Sequence, residues 1–327
     1  MVGLFKRNDI VAFAGLLILH FLLQLKGIMN PVPIKWLDKF YHGFFFQWIG
    51  LQRGYISHPG VYMVVSVIIF FVFALYVNLV VNQERLYARK TYIPALSLIL
   101  FSAFTPEMCL FSNVFVANAL VFIAFARTLM LYNHNKPRKA CFDIGMLIGL
   151  ASLFYFPAVL LVILFILMFA ILRSIVLQEI VAFLVGVIGT WYFAAAYVFI
   201  WGDWKTVWHK IYFHIHLPSK IIHPSGFIIS SVVSILLLVY GMFLLNLHGP
   251  KNPIAVRKKW NAVVFYAFFG LVIGLFSSIF PSLPWLLAVT PFSIILSQTF
   301  QHNKEKINIF TFYFILASLV VVQWVIK

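Results

Sequence analysis

The chain has 327 residues, 63% of them hydrophobic, 18% aromatic and only 10% charged, with a mean hydropathy of +1.01. So little charge on so apolar a chain excludes an ordinary water-soluble globular protein. The formal net charge of +16 does not point to nucleic acid, because that role gathers basic residues on one face of a soluble fold and here they fall in short breaks between apolar runs.

A helix needs about 20 mostly apolar residues to cross roughly 30 Å of hydrocarbon. The first such run is 10–25. "FKRND" ahead of it resembles the start of a signal peptide, but "LKGIMNPVP" after it offers no small-x-small cleavage site, so a retained helix is predicted. Residues 26–60 then form a long loop rich in Trp, Phe and Tyr, expected to lie along the membrane interface with its aromatic side down. Runs at 61–82, 92–105 and 112–132 follow. The apolar stretch 142–172 is too long for one span, and Pro157 near its middle breaks the helix ladder, so it is read as two helices. After 179–201 comes a second long loop, 201–226, in which Trp204, Trp208, Ile211 and Ile215 recur at helical spacing while Lys205, His209 and Lys210 fall off that stripe. This pattern predicts an amphipathic helix in the interface. Runs at 227–247, 262–280, 284–300 and 308–326 complete the chain. The sequence thus predicts an all-α polytopic transmembrane helix bundle, a single integral membrane domain over 1–327 with about eleven spans and two interfacial outer loops.

Lysine and arginine placement sets the orientation. With the N-terminus inside and the C-terminus outside, 15 basic residues fall on the cytoplasmic side and 8 outside, leaving Arg127 alone within a span, near its inner end, where it is expected to snorkel to the interface. Cys109 and Cys141 then belong to opposite membrane faces, too far apart for a disulfide. No Walker-type or dinucleotide-type glycine loop is present, which argues against direct nucleotide chemistry.

Of the eight carboxylates, Asp9, Glu84, Asp143, Glu179 and Glu305 sit at cytoplasmic helix ends, mostly beside basic residues with which they are expected to pair. Asp38, Glu107 and Asp203 lie outside, one in each of three loops. A carboxylate at the hydrocarbon edge is costly unless it meets a cation, a metal or a watery cavity, and Glu107 has the shortest loop. Two readings of it stand open. In one, "TPE" makes Thr105 an N-cap, Pro106 the first helical residue and Glu107 a first-turn acid that steadies a helix. In the other, Glu107 binds or catalyses. Asp38 similarly reads as a salt-bridge partner of Lys35 or Lys39, and Asp203 as a helix start. His209, His214, His216 and His223 share one outer loop and raise a divalent metal, though their spacing matches no standard zinc signature.

The stretch 91–165, with "PAL" entering a short helix, "FTPE", "ANALVF" and "FDIGMLIGLASLFYFPA", resembles a family of functionally uncharacterised polytopic proteins of Bacteroidota, which implies a Gram-negative inner membrane. The spans, the aromatic first outer loop with an acid and "GMLIGLASLFYFPAVLL" are also similar to the GT-C superfamily of membrane glycosyltransferases. That resemblance implies transfer of a sugar from a polyprenyl-phosphate carrier at the periplasmic face, with Asp38 and Glu107 in the places of that family's base or metal-contacting acids. Arg53, Asp203, Lys205, His209, Lys210, His214, His216 and Lys220 would then serve phosphate or substrate. The family's adjacent acidic pair is absent, since Asp38 stands between Leu37 and Lys39. The alternative class is a non-enzymatic subunit or scaffold of a cell-envelope complex, docking protein partners through its aromatic loops. A transporter is a third reading, weakened by the lack of an inverted repeat.

Overall fold

The structure, a computed structural model, describes residues 2–30, 59–133, 137–173, 176–201, 224–276, 283–302 and 305–325. These residues contain helices and no strands. After one helical turn, Val2–Phe5, come α1 (Ile10–Met29), α2 (Pro59–Gln83), α3 (Ile93–Ser102), α4 (Asn113–Met130), α5 (Pro137–Phe154), α6 (Leu161–Leu172), α7 (Leu177–Trp201), α8 (Pro224–His248), α9 (Ile254–Phe276), α10 (Leu286–His302) and α11 (Glu305–Val320). A π-helical turn, Val321–Val325, continues α11.

Each predicted apolar segment coincides with one of these helices. Pro157 does divide the long run, lying in a 3-10 turn, Phe156–Leu160, between α5 and α6. Among the described residues, seven helices are long and apolar enough to cross a membrane, rather than all eleven. Of the other four, α3 and α6 are short, and α5 begins with a charged turn, "PRKACFD".

α10 occupies the centre, almost wholly buried, and packs against α3, α4, α8 and α9. α3 is buried along its entire length. α1, α7, α8 and α11 lie at the periphery and expose large apolar side chains such as Ile18, Val185, Phe193, Ile235 and Phe310. Such a belt suits hydrocarbon and would be a liability in water. Among the described residues, α5 and α7 form the most extensive helix pair. A Cβ on Gly145 would run into the Phe183 carbonyl, and one on Gly186 into the backbone of Phe142 and Met146, so glycine is what lets the two backbones approach.

Contacts identify one basic end of the bundle. Tyr92 N–H donates to Phe5 O at 2.9 Å, Lys259 reaches Glu84, and Lys258 sits 5.7 Å from the ring centre of Tyr132. The loop 84–92 closes this end. Arg85 adopts a left-handed φ of 52° just past α2, where glycine is the usual residue, and Leu86 N–H returns to Val81 O at 3.2 Å and Arg85 N–H to Asn82 O at 3.4 Å, as in a Schellman motif. The Tyr87 hydroxyl hydrogen-bonds to Ile294 O at 3.1 Å and to Ser297 on α10. Burial pushes its phenol above the usual range, so it stays neutral.

Two ion pairs match the expectation for the carboxylates at this end. Lys259 Nζ lies 2.8 Å from Glu84 Oε2, with both side chains largely buried, and Arg127 Nη1 lies 2.8 Å from Asp143 Oδ2. Arg127 therefore does more than snorkel. It joins α4 to α5, because both helices bring their charged ends to the same level. Cys109 and Cys141 are both free and buried.

Two outcomes test this packing. Gly186→Ala is expected to lose about 1–3 kcal/mol through overpacking, while Gly189→Ala, where a Cβ meets nothing within 4 Å, stays neutral or gains up to about 1 kcal/mol. Thermal unfolding in detergent measures both. Lys259→Met alone, which strands the buried Glu84 carboxylate, is expected to cost about 3–5 kcal/mol, and adding Glu84→Leu should recover most of it. Equal losses in the single and double variants would show that the pair does not carry the contact.

Candidate functional site

At the end opposite the basic loops, the chain leaves α3 after only ten residues and does not re-enter a helix of more than one turn until Asn113. Ten helical residues span about 15 Å, half of a hydrocarbon core. Residues 103–112 are therefore irregular backbone held within the bundle. Such backbone is tolerated at membrane depth only where protein or water supplies its hydrogen bonds.

Much of the supply is local. Ala103 N–H donates to Ile99 O, Thr105 N–H to Ser102 O, Met108 N–H to Thr105 O and Leu110 N–H to Glu107 O, all within 3.3 Å. The rest comes from three neighbouring elements. Gln323, on the π-helical turn after α11, donates to Ala103 O and to Leu23 O, tying the segment to α1. Tyr62 of α2 donates its hydroxyl to Phe111 O. Gln24 of α1 places its amide nitrogen 2.9 Å from Cys109 Sγ. Gln24 belongs to the buried stripe of α1, Ala12, Leu16, His20, Gln24 and Gly27, one turn apart. His20 on the same stripe stacks on Phe70 and Phe71 and lies 3.1 Å from Val67 O.

Glu107 sits half-buried on the 3-10 turn Pro106–Cys109 inside this segment. Thr105 precedes the turn in extended conformation, as "TPE" suggests, but its hydroxyl makes no capping bond. The turn is also not the start of the next long helix. That start is Asn113, capped by Ser112, whose Oγ accepts from Phe115 N–H at 3.2 Å. The expected helix N-terminus at Glu107 is thus corrected to a single turn, because Leu110 and Ser112 are extended and the three residues 110–112 separate it from α4. The carboxylate sits at the edge of a polar, protein-braced break, where its oxygens can accept a hydrogen bond or a proton.

Of the residues expected to act with it, Asp38, Arg53, Asp203, Lys205, His209, Lys210, His214, His216 and Lys220 all lie outside the described residues, as do both amphipathic loop segments. The four histidines raised for a metal lie there too, and among the described residues no group of three or more His, Cys, Asp or Glu could hold an ion. Sequence reading missed Gln24, Tyr62, Asn113 and Gln323. The signal for Gln24 was present in the four-residue recurrence from Ala12.

Cys109 reports on how tightly the segment is held. Its thiol is fully buried, out of reach of a bulky alkylating reagent. Maleimide is therefore expected to leave Cys109 unmodified in the folded protein and to alkylate it on unfolding, as read by mass spectrometry. Rapid native-state alkylation would mean that the turn is open.

No curated protein and no solved structure matches the chain. A family model does match, over residues 40–327, and so spans the interrupted segment, the second long loop and residues 40–60 of the first. On that match the chain belongs to the Family of unknown function (DUF6427).

Proposed function

We propose that this integral membrane protein is a GT-C-like glycosyltransferase of the bacterial inner membrane, acting at the periplasmic face on a polyprenyl-phosphate-linked sugar. The observation that carries the reading is Glu107: a half-buried carboxylate on an irregular turn, at the end of the bundle away from the basic loops. The gathering of basic loops at one end supports an N-in orientation, which turns the Glu107 end outward.

In this reading Glu107 is the general base. It takes the proton from an acceptor hydroxyl as that oxygen bonds to the anomeric carbon, while the bond from that carbon to the phosphate oxygen breaks and polyprenyl phosphate departs. The departing phosphate needs cationic donors. Arg53, Lys205, Lys210, Lys220 and the histidines of the second loop are the residues proposed for it, with Asp38 as a second acid and Asp203 beside the substrate. A divalent metal, if the enzyme uses one, would add charge neutralisation at the phosphate. The exposed apolar faces of the peripheral helices give the isoprenoid chain a lateral route.

The test is mass spectrometry of polyprenyl-linked glycans in membranes of a deletion strain complemented with wild type, Glu107→Gln or Asp38→Asn at matched protein levels. A lipid-linked sugar should accumulate in the deletion and with Glu107→Gln, whose turnover is expected to fall by about 10²–10⁴. Wild type should clear it. Lipid carriers that stay unchanged in a deletion strain whose envelope function nonetheless depends on the protein would replace this reading with a non-enzymatic subunit of an envelope complex.

A further inference from the structure

The interrupted segment leaves polar atoms that the protein does not satisfy. Gln24 and Asn113 are buried, yet Gln24 Oε1 and both amide atoms of Asn113 have no hydrogen-bond partner among the described residues. Thr105 Oγ1 is likewise buried and unpartnered. These groups bracket one turn. Thr105 and Asn113 flank Pro106–Cys109 along the chain, and Gln24 is fixed to it by the 2.9 Å contact with Cys109 Sγ. Exchanging O and N of either amide does not remove the surplus: Gln24 still has one atom over and Asn113 two.

Buried polar groups are almost always satisfied, and four left dry around one turn would cost a sum comparable with the net stability of a domain. The chemistry of the four selects their partner. They offer donors and acceptors together and carry no formal charge, which suits neither an anion nor a hydrophobic tail. Water satisfies such mixed sets inside proteins, typically with about three hydrogen bonds each.

We infer that Gln24, Thr105 and Asn113 hold ordered water inside the bundle behind the Glu107 turn, a buried hydration site that braces the interrupted segment from within. The site does not depend on the transferase reading, since it requires no substrate. Asn113 is in this view a positioning residue: through water it steadies the turn that carries Glu107.

X-ray radiolytic hydroxyl-radical labelling tests this, because radicals formed in bound water oxidise sulfur side chains beside it. Met108 and Cys109 lie on the turn and are buried; Met168, fully buried on α6, serves as the reference. In the intact protein in nanodiscs, Met108 should oxidise severalfold faster than Met168, as expected for a side chain lining internal water. The excess should be lost in Asn113→Leu or, should that variant fail to fold, in Gln24→Leu, with Met168 unchanged. Oxidation of Met108 at the reference rate in wild type would overturn the site. So would an excess that survives the substitutions, or one accompanied by maleimide alkylation of Cys109 in the folded protein, which would indicate opening of the turn instead.

Discussion

A polypeptide that leaves the helix while surrounded by apolar side chains must find partners for every amide and carbonyl it frees. In this protein that demand is concentrated in residues 103–112, between the short α3 and α4. The neighbouring helices are arranged to meet it. Gln24 from α1, Tyr62 from α2 and Gln323 from the end of the chain all reach the same segment. Elements more than two hundred residues apart are thereby tied to one segment, and that segment carries Glu107. A carboxylate here is held by a scaffold of buried contacts and not by a floppy loop, which is what positioning for chemistry needs.

The remainder of the bundle makes that inset tolerable. α10 runs through the middle and buries α3 on one side, and its Thr290 exchanges hydrogen bonds with Asn118 of α4, the closer contact being 2.9 Å. Polar pairs of this kind fix the register of helices whose apolar surfaces alone could slide. The α5–α7 pair contributes close packing through Gly145 and Gly186. The Glu84–Lys259 and Arg127–Asp143 pairs lie at the other end, where they and the buried Tyr87 fasten the loops. The molecule thus separates a fastened basic end from an end where the backbone is interrupted.

Much of the fold was legible in the sequence, because apolar run length and proline placement are physical constraints on crossing a bilayer. The boundaries of α2 and α7 fall within two residues of the runs 61–82 and 179–201, and Pro157 marked the division between α5 and α6. Sequence and structure part where a local cue competes with a tertiary one. "TPE" carries the residues of a helix start, but Leu110 and Ser112 are extended, and the stronger start is the Ser112–Asn113 pair seven residues later. The charges of Arg257 to Lys259 hid the first turns of α9, which begins eight residues before the run 262–280. Of the candidate site, only Glu107 could be placed. Its supporting glutamines and tyrosine come from elements distant in sequence, and no local pattern announces that such residues converge.

For Glu107 to act on a periplasmic substrate, its turn must face the outside of the membrane while remaining part of the packed bundle. The most direct measurement is the accessibility of Glu107→Cys, in a Cys109→Ser, Cys141→Ala background, to a membrane-impermeant maleimide added to right-side-out vesicles. Labelling from outside, without permeabilisation, is the predicted result. Labelling only after the inner face is exposed would contradict the orientation, and with it the assignment of Glu107 to an outward-facing site.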